Sequence, residues 1–180
     1  MRKLIMWNML TLDGFFEGPD KGQIDWFRSD KELEEYILNS QRSVGAFVFG
    51  RVTYEGMASY WPSADGPIAR FMNSVPKIVF SRTLERAEWN NTRLVKNNVP
   101  DEIRRLKQQP GGNIFVVGSA NLITTLMQHH LIDEYRLGIN PVILGHGIPL
   151  FKYNPERLDL KLLESKSIKS GLVILHYQPA

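Results

Sequence analysis

Short runs of consecutive apolar residues alternate along this chain with segments in which apolar residues recur at helical spacing. A run of four or more, rich in β-branched and aromatic residues, predicts a buried strand, and a helix-spaced segment predicts a helix packed on it. The most informative run is Ile114 to Val117, which ends at Gly118 and leads into a helix-spaced segment that begins at Ser119. This stretch therefore predicts a strand, a glycine turn and a helix in direct succession.

Strands and helices predicted in this way alternate over most of the chain. Strands are predicted at 4–10, 46–49, 77–80, 93–95, 114–117 and 134–139, with an antiparallel hairpin at 158–167 and 172–177. Helices are predicted from a capping box with Ser29 as N-cap and Glu32 at its third position to about residue 40, from 51, within 62–75, at 101–108 and at 119–129. This order indicates an α/β protein whose sheet is mixed at one edge.

Composition narrows the class of protein. The 180 residues are 43% hydrophobic and 23% charged, which predicts one compact domain with its own core. A net charge of +3 without a long Lys/Arg run argues against nucleic-acid binding. The chain has no cysteine, which excludes disulfides and thiolate metal sites. The apolar run near the N-terminus is too short for a signal peptide or a membrane span, so we expect a cytoplasmic protein.

The turn at Gly118 is a candidate phosphate site. Gly118 has no side chain to block the approach of a ligand, and the Ser119 side chain can cap the helix that follows. Free N–H groups and the helix dipole make such a helix start attractive to anions. The turn lacks the second and third glycines of the dinucleotide fingerprint GxGxxG, so an ordinary strand-to-helix turn is the alternative interpretation.

Two other predicted strands end in similar clusters, Gly50-Arg51-Val52-Thr53 and Ser81-Arg82-Thr83. Ligands of open α/β sheets bind outside the carboxyl ends of the strands, so these clusters and the Gly118 turn predict one crevice. Two helix starts could share a diphosphate, and an arginine beside a serine suits a phosphate monoester. Alternatively, the two arginines are solvated surface charges.

Several stretches, in a common order, resemble a known family. FVFGRVTYEGM, PKIVFSRTLE and IFVVGSANLITTLM are similar to the dihydrofolate reductase fold, in the branch that contains the C-terminal reductase domain of bacterial riboflavin biosynthesis enzymes and its stand-alone relatives. The opening NMLTLDGFFEGPDKGQIDWF and the late loop GHGIPLF resemble that branch as well. The resemblance implies a single three-layer α/β/α domain, with a mostly parallel mixed sheet, that uses NADPH to reduce a small heterocycle.

The resemblance also implies cofactor contacts at the matching positions. Ser81 and Arg82 would hold the 2′-phosphate that distinguishes NADPH from NADH, and Asn8 and Met9 would lie against the nicotinamide. The other contacts would come from the starts of two helices, at Gly50, Arg51, Val52, Thr53, Gly118, Ser119, Ala120, Asn121 and Leu122.

Substrate contacts follow from the same resemblance. Trp26 matches the tryptophan that precedes the pterin-binding acid of dihydrofolate reductases, and that acid's place falls near Lys31. Its neighbour Asp30 is a substrate-binding candidate, or else a first-turn carboxylate favoured by the helix dipole. Asp13 would bind substrate or donate a proton, for which burial would have to raise its pKa, or else it is a turn residue. His146 in the glycine-rich loop is a further candidate.

The resemblance implies a pyrimidine- or pterin-like substrate, for which an aminopyrimidine that carries a ribosyl phosphate is one candidate. We expect no metal, because no histidine pair has ligand spacing with a supporting carboxylate. We expect a homodimer, as in relatives of this branch, with the C-terminal hairpin as the candidate contact surface. A non-catalytic module that holds a nucleotide in the same crevice is the alternative function.

Overall fold

The computed structural model describes residues 1–152 and 156–180, which form a large mixed sheet with helices on both faces and a small second sheet. The helices are α1 (Lys31–Ser40), α2 (Arg51–Tyr60), α3 (Pro67–Ser74), α4 (Val99–Gln108) and α5 (Ala120–Gln128). The strands are β1 (Leu4–Thr11), β2 (Phe15–Glu17), β3 (Val44–Gly50), β4 (Lys77–Phe80), β5 (Thr92–Val95), β6 (Asn113–Val116), β7 (Glu134–Asn140), β8 (Ile148–Pro149), β9 (Leu160–Ser167) and β10 (Val173–Pro179).

The strands of the large sheet follow the order β5-β4-β3-β6-β1-β7-β10-β9. The first six are parallel, whereas β10 runs antiparallel to both β7 and β9. The predicted mixed sheet and terminal hairpin are therefore confirmed. Because β4, β3, β6 and β1 are parallel, their carboxyl ends lie at one edge of the sheet, which is where ligands of such sheets bind.

Each face of the sheet carries its own apolar layer. On one face, Met6 of β1 belongs to the cluster that contains Leu106 of α4 and Leu126 of α5. On the other face, Ile5 of the same strand belongs to the cluster that contains Phe71 of α3. Successive side chains of a strand point to opposite faces, so β1 contributes to both layers. The predicted three-layer arrangement is confirmed.

The sheet opens between β1 and β6 at the edge where ligands bind. Strand β1 is paired with β6 only as far as Met6, opposite Val116, but with β7 as far as Thr11. Beyond Val116 the chain turns towards β3, and the Gly50 amide donates to the Gly118 carbonyl at 3.1 Å. Within the described part of the chain, no strand pairs with the second half of β1 on that side, which leaves a cleft in the sheet.

The start of α1 differs from the prediction by one residue. Asp30, not Ser29, is the N-cap, and its carboxylate accepts a hydrogen bond from the Leu33 amide at 2.8 Å. Both residue types are favoured at this position, so the sequence pattern alone does not separate them. Ser119 does occupy the N-cap of α5, but its side chain makes no capping hydrogen bond.

Two short strands were not predicted. Strands β2 and β8 have three and two residues and pair with each other as a small antiparallel sheet. Such short segments carry too few positions for a readable alternation of apolar and polar residues. None of the helices in the described ranges has the length and apolar character of a membrane span.

Candidate functional site

The starts of α2 and α5 meet at the edge of the sheet. Gly50, at the end of β3, is the N-cap of α2, and Ser119, three residues after the neighbouring parallel strand β6, is the N-cap of α5. A side chain at Gly50 would collide with the Ser119 hydroxyl, so the two helix starts are in direct contact. The free amides of both helices and the positive ends of both dipoles therefore open at one place, as an anionic ligand requires.

Gly118 lies at the centre of this contact. Its φ of +83° is in the left-handed region that glycine adopts without cost. A Cβ at this position would lie 2.8 Å from the Phe16 ring and 2.8 Å from the Thr53 hydroxyl. Both the conformation and the lack of space therefore require glycine, and backbone rather than side chain lines this part of the crevice.

Several buried polar atoms of the predicted site residues have no hydrogen-bond partner among the described residues. They include the Asn8 amide oxygen and the Thr53 hydroxyl, which belong to predicted cofactor contacts, and the Trp26 indole nitrogen, which belongs to a predicted substrate contact. A buried polar atom without a partner costs free energy, so unpaired atoms of this kind indicate groups that a ligand completes. The polar groups therefore fit a bound dinucleotide and a polar heterocycle.

The two predicted arginines differ in their environment. Arg51 is the first residue of α2, and its guanidinium pairs with Glu55 at 3.0 Å, one turn later in the helix. Lys21 approaches the same carboxylate at 3.6 Å. Arg82 is exposed and makes no ion pair with any residue that the structure describes. Of the two side chains, the Arg82 guanidinium is the one that is free to meet an added anion.

Ser81 organises the loop that carries Arg82. Phe80, the last residue of β4, lies opposite Gly50 of β3, so Ser81 follows at the same edge as the crevice. The Ser81 hydroxyl accepts hydrogen bonds from the amides of Leu84 at 2.9 Å and Thr83 at 3.2 Å. The structure therefore brings the three predicted clusters to one edge.

The first turn of α5 combines buried and exposed positions. Ala120 and Leu122 are buried in the apolar layer, so only their backbone amides face the helix start. Asn121 is exposed, and its side-chain oxygen accepts a hydrogen bond from Lys152 at 2.6 Å. No sequence pattern singles out Lys152, because a single exposed lysine resembles any other surface lysine. Val52 is half-buried at the second position of α2.

Asn8 and Met9 lie on opposite faces of β1. Asn8 shares its face with Met6 and Leu10, on the α5 side, because these residues alternate along the strand. Met9 packs with the cluster around α1, and its sulfur lies against Gly138 of β7. Both residues are expected to lie against the nicotinamide, and their side chains point to opposite faces of the sheet.

Asp13 anchors the glycine-rich loop. Its carboxylate accepts hydrogen bonds from the Thr11 hydroxyl at 2.6 Å, from the Gly145 amide at 2.8 Å and from the Leu144 amide at 3.1 Å. These hydrogen bonds, chiefly that of Thr11, lower the pKa of Asp13 to about 2. A proton donor needs a raised pKa, so these hydrogen bonds favour the turn-residue interpretation of Asp13 over that of a proton donor. The anchored loop also carries His146, which is exposed.

Asp30 holds α1 to the terminal hairpin. One carboxylate oxygen accepts from the Leu33 amide, and the other accepts from the Ser170 amide at 3.1 Å. These bonds lower the pKa of Asp30, with the Leu33 amide as the largest cause. Both oxygens are engaged in the fold, so we retain the helix-terminus interpretation of Asp30 and not its role in substrate binding.

An open cavity of about 960 Å³ lies between α2 and the segment 84–90. Tyr54 and Trp89 contribute to its lining, together with several glutamates. None of the predicted site residues lines this cavity. Within the described ranges, no group of three or more histidine, aspartate or glutamate side chains is arranged as a metal site would need.

Asp13→Asn should lower the stability of the fold at neutral pH. The pKa of Asp13 is about 2 in the fold, against an ordinary 3.8, so between these values the unfolded chain binds more protons. Its contribution is therefore complete above the ordinary pKa and is lost as the pH falls through about 2. Urea unfolding of both proteins at pH 7, 4 and 2.5 should show a difference that shrinks with falling pH.

Asp25→Asn is the control for this experiment, because Asp25 is an exposed carboxylate in the loop between β2 and α1. It should change the unfolding free energy little at any of the three pH values. A difference between Asp13→Asn and the unaltered protein that stays constant from pH 7 to pH 2.5 would contradict the assigned hydrogen bonds.

The chain is similar to known proteins in sequence and in fold. Residues 2–174 match the family model of the RibD C-terminal domain. Protein YyaP of Bacillus subtilis (strain 168) is 33% identical over 181 residues, which cover 98% of this chain and 94% of YyaP. A riboflavin-biosynthesis-type protein of Shewanella sp. PV-4 has a similar structure, with a TM-score of 0.81, 24% identity and 99% of each chain covered.

Dihydrofolate reductase from Enterococcus faecalis, solved with NADP(H), is also similar in structure. Its TM-score is 0.69 at 14% identity, with 98% of this chain and 96% of that chain covered. At such identities the two structural matches show a shared fold, which confirms the predicted dihydrofolate reductase-like architecture. Taken with the family match over nearly its whole length, this shows that the chain belongs to the RibD C-terminal domain family.

Proposed function

We propose that this protein is an NADPH-dependent reductase that transfers a hydride to a small pyrimidine- or pterin-like heterocycle. The observation that carries the proposal is the contact between the starts of α2 and α5 at Gly50 and Gly118. That contact opens two sets of free amides beside a cleft in the sheet. The reductase-type fold of the family and of its structural neighbours supports the same conclusion.

The diphosphate of the cofactor would bind the amides at the two helix starts. Thr53 lies against Gly118, and its buried hydroxyl has no partner among the described residues, so it would donate to a phosphate oxygen. Asn121 and Lys152, which are bonded to each other, would lie at the outer side of the same phosphates. When bound, the reduced nicotinamide supplies the hydride, and the protein supplies orientation and electrostatics.

The substrate would bind on the face of the sheet that α1 covers. Trp26 precedes α1, and its buried indole N–H has no acceptor among the described residues, so it would donate to a carbonyl or ring nitrogen of a heterocycle. His146 would contact the substrate from the loop that Asp13 anchors. An aminopyrimidine that carries a ribosyl phosphate is one member of the proposed class.

The proposed partners are small molecules, and neither nucleic acid nor a membrane is among them. The net charge of +3 is too small for an electrostatic footprint on nucleic acid. We place the enzyme in the cytoplasm. A chain without cysteine forms no disulfide and therefore needs no oxidising compartment.

The reaction is tested by incubating the purified protein with NADPH and a panel of pyrimidines, pterins and flavin precursors. Loss of the absorbance of reduced nicotinamide with at least one compound is the expected result. Tight binding of NADPH without oxidation by any of them would favour the non-catalytic nucleotide-binding module. Lack of binding to NADPH and NADH alike would contradict both functions.

Arg82→Ala should weaken NADPH binding by about 10- to 100-fold, because a hydrogen bond to a charged group contributes about 1.5–3 kcal/mol. NADH lacks the 2′-phosphate, so its affinity should change less than about twofold. Calorimetric titration of both cofactors gives the two ratios. Arg86→Ala is the matched control, since Arg86 is exposed in the same loop and is paired with Glu88 at 2.7 Å. Equal losses for NADPH and NADH would remove Arg82 from the 2′-phosphate site.

We also propose that two copies associate through β9, the outer strand of the sheet. Leu160, Leu162 and Leu163 on this strand are 37%, 49% and 47% exposed, and an exposed apolar edge strand pairs readily with another chain.

Light scattering should give twice the 20.7 kDa chain mass. Leu162→Lys should reduce it to the mass of one chain, whereas Leu12→Lys, at an exposed leucine outside the hairpin, should not. The mass of one chain for the unaltered protein would contradict the dimer.

A further inference from the structure

A buried histidine lies beneath the second half of α1. His176 of β10 is 9% exposed, and its Nε2 atom lies 2.8 Å from the hydroxyl oxygen of Tyr36 in α1. Its Nδ1 atom lies 3.4 Å from a carboxylate oxygen of Glu164 in β9. One imidazole therefore contacts both the helix that covers this face of the sheet and the outer strand of the terminal hairpin.

The Glu164 carboxylate determines which ring nitrogen of neutral His176 carries the proton. An ionised carboxylate only accepts hydrogen bonds, so the proton of the neutral ring belongs on Nδ1, which faces Glu164. Nε2 is then an acceptor, and the Tyr36 hydroxyl donates to it. When the ring gains a second proton, Nε2 becomes a donor and the Tyr36 proton loses its acceptor.

The surroundings of His176 disfavour that second proton. The titratable and charged side chains that face the imidazole and the ring bonded to it come from α1, β7 and β9, and they are Tyr36, Glu134, Arg136, Glu164 and Lys166. Arg136 is the register partner of His176, and the Cβ atoms of such partners are about 4.5–5.5 Å apart. Burial first, and then the Arg136 guanidinium, lowers the pKa of His176, although Glu164 and Glu134 oppose this shift.

Helix α1 depends on few contacts with the sheet. Leu33 alone of its ten residues is buried, and an isolated helix of this length is not stable in water. Its start is held by Asp30 and Glu32, which accept hydrogen bonds from two backbone amides of the hairpin turn. In its second half, Tyr36 provides the hydrogen bond to the sheet. The contact with His176 is therefore the polar contact that holds this half of the helix.

Tyr36 also covers Trp7 of β1. The two rings are stacked, with centroids 5.9 Å apart and planes inclined by 27°. Trp7 follows Met6, the last residue of β1 that pairs with β6, and it packs with the apolar cluster around α1. It therefore lies at the base of the cleft on the α1 face. Movement of Tyr36 away from the sheet would uncover this ring and open that side of the cleft.

We propose that the contact between His176 and Tyr36 is an acid-sensitive switch, which holds α1 against the sheet at neutral pH and releases its second half in mild acid. The folded chain takes up the second proton on His176 less readily than a chain in which this contact is broken. The stabilisation is therefore complete above the ordinary histidine pKa of 6.5 and is lost as the pH falls below it. The inference concerns the fold itself and does not depend on the proposed function.

Amide hydrogen exchange measured by mass spectrometry tests this switch, after correction for the pH dependence of exchange in an unfolded chain. Protection of α1 should fall by about 2- to 10-fold between pH 7.5 and 5.5, the effect of one lost hydrogen bond. Protection of α4, which packs on the opposite face of the sheet, should stay constant and is the internal reference. His176→Gln keeps an acceptor for Tyr36 but has no titratable ring, so α1 should lose its pH dependence in this variant.

Glu164→Gln is a second variant, which leaves the buried groups in place because the Glu164 side chain is 60% exposed. The negative charge of Glu164 favours the protonated imidazole, so its removal should move the loss of α1 protection to a lower pH. Glu35→Gln is the matched control, because Glu35 is an exposed carboxylate of α1 outside this cluster. It should not change the pH at which protection is lost.

Constant protection of α1 from pH 7.5 to 5.5 in the unaltered protein would overturn the inference. The same pH dependence in His176→Gln as in the unaltered protein would also overturn it, because a different group would then be responsible. If His176→Gln does not fold, or protects α1 poorly at both pH values, Glu164→Gln decides the question. A midpoint that is unchanged in Glu164→Gln would remove His176 as the group that titrates.

Discussion

The hydrogen bond from the Gly50 amide to the Gly118 carbonyl joins the two strand ends on which the candidate site depends. It forms because β3 and β6 are neighbouring parallel strands, each of which leads through glycine into a helix. A larger residue at either place would separate the helix starts or fill the space between them. The strand order and the lack of side chains at two glycines therefore bring the free amides of both helices together. These amides can attract an anion without a cationic side chain.

The same turn away from β1 creates the cleft in the sheet. Once Gly118 is hydrogen-bonded to β3, no described strand pairs with the second half of β1 on that side, and the buried Asn8 amide lies where the pairing ends.

The rim of the crevice is built from loops that are held by hydrogen bonds. Asp13 binds two amides of the glycine-rich loop, and Lys152, which follows that loop in the chain, reaches the first turn of α5. The residues proposed for cofactor and substrate are thus joined by one set of hydrogen bonds.

Much of this arrangement could be predicted from sequence, and the limits have physical causes. Buried parallel strands are continuous apolar runs in the sequence. This is why β3, β4 and β6 could be predicted, together with the glycine and serine clusters that follow them. The role of Asp13 was not: the Thr11 hydroxyl that chiefly lowers its pKa is close in sequence, but the amides of Leu144 and Gly145 that it also holds are distant. The unpaired atoms of Asn8, Thr53 and Trp26 were also hidden, since whether a polar atom finds a partner is settled only by tertiary packing. The start of α1 was misplaced because two adjacent residues could both cap it.

The most direct test is a crystal structure of the protein grown with NADPH. Our account predicts diphosphate oxygens within about 2.7–3.2 Å of the amides that begin α2 and α5, with the 2′-phosphate beside Arg82 and the nicotinamide in the cleft between β1 and β6. NADPH bound elsewhere, for example in the cavity between α2 and the segment 84–90, or an empty crevice in crystals saturated with NADPH, would contradict it.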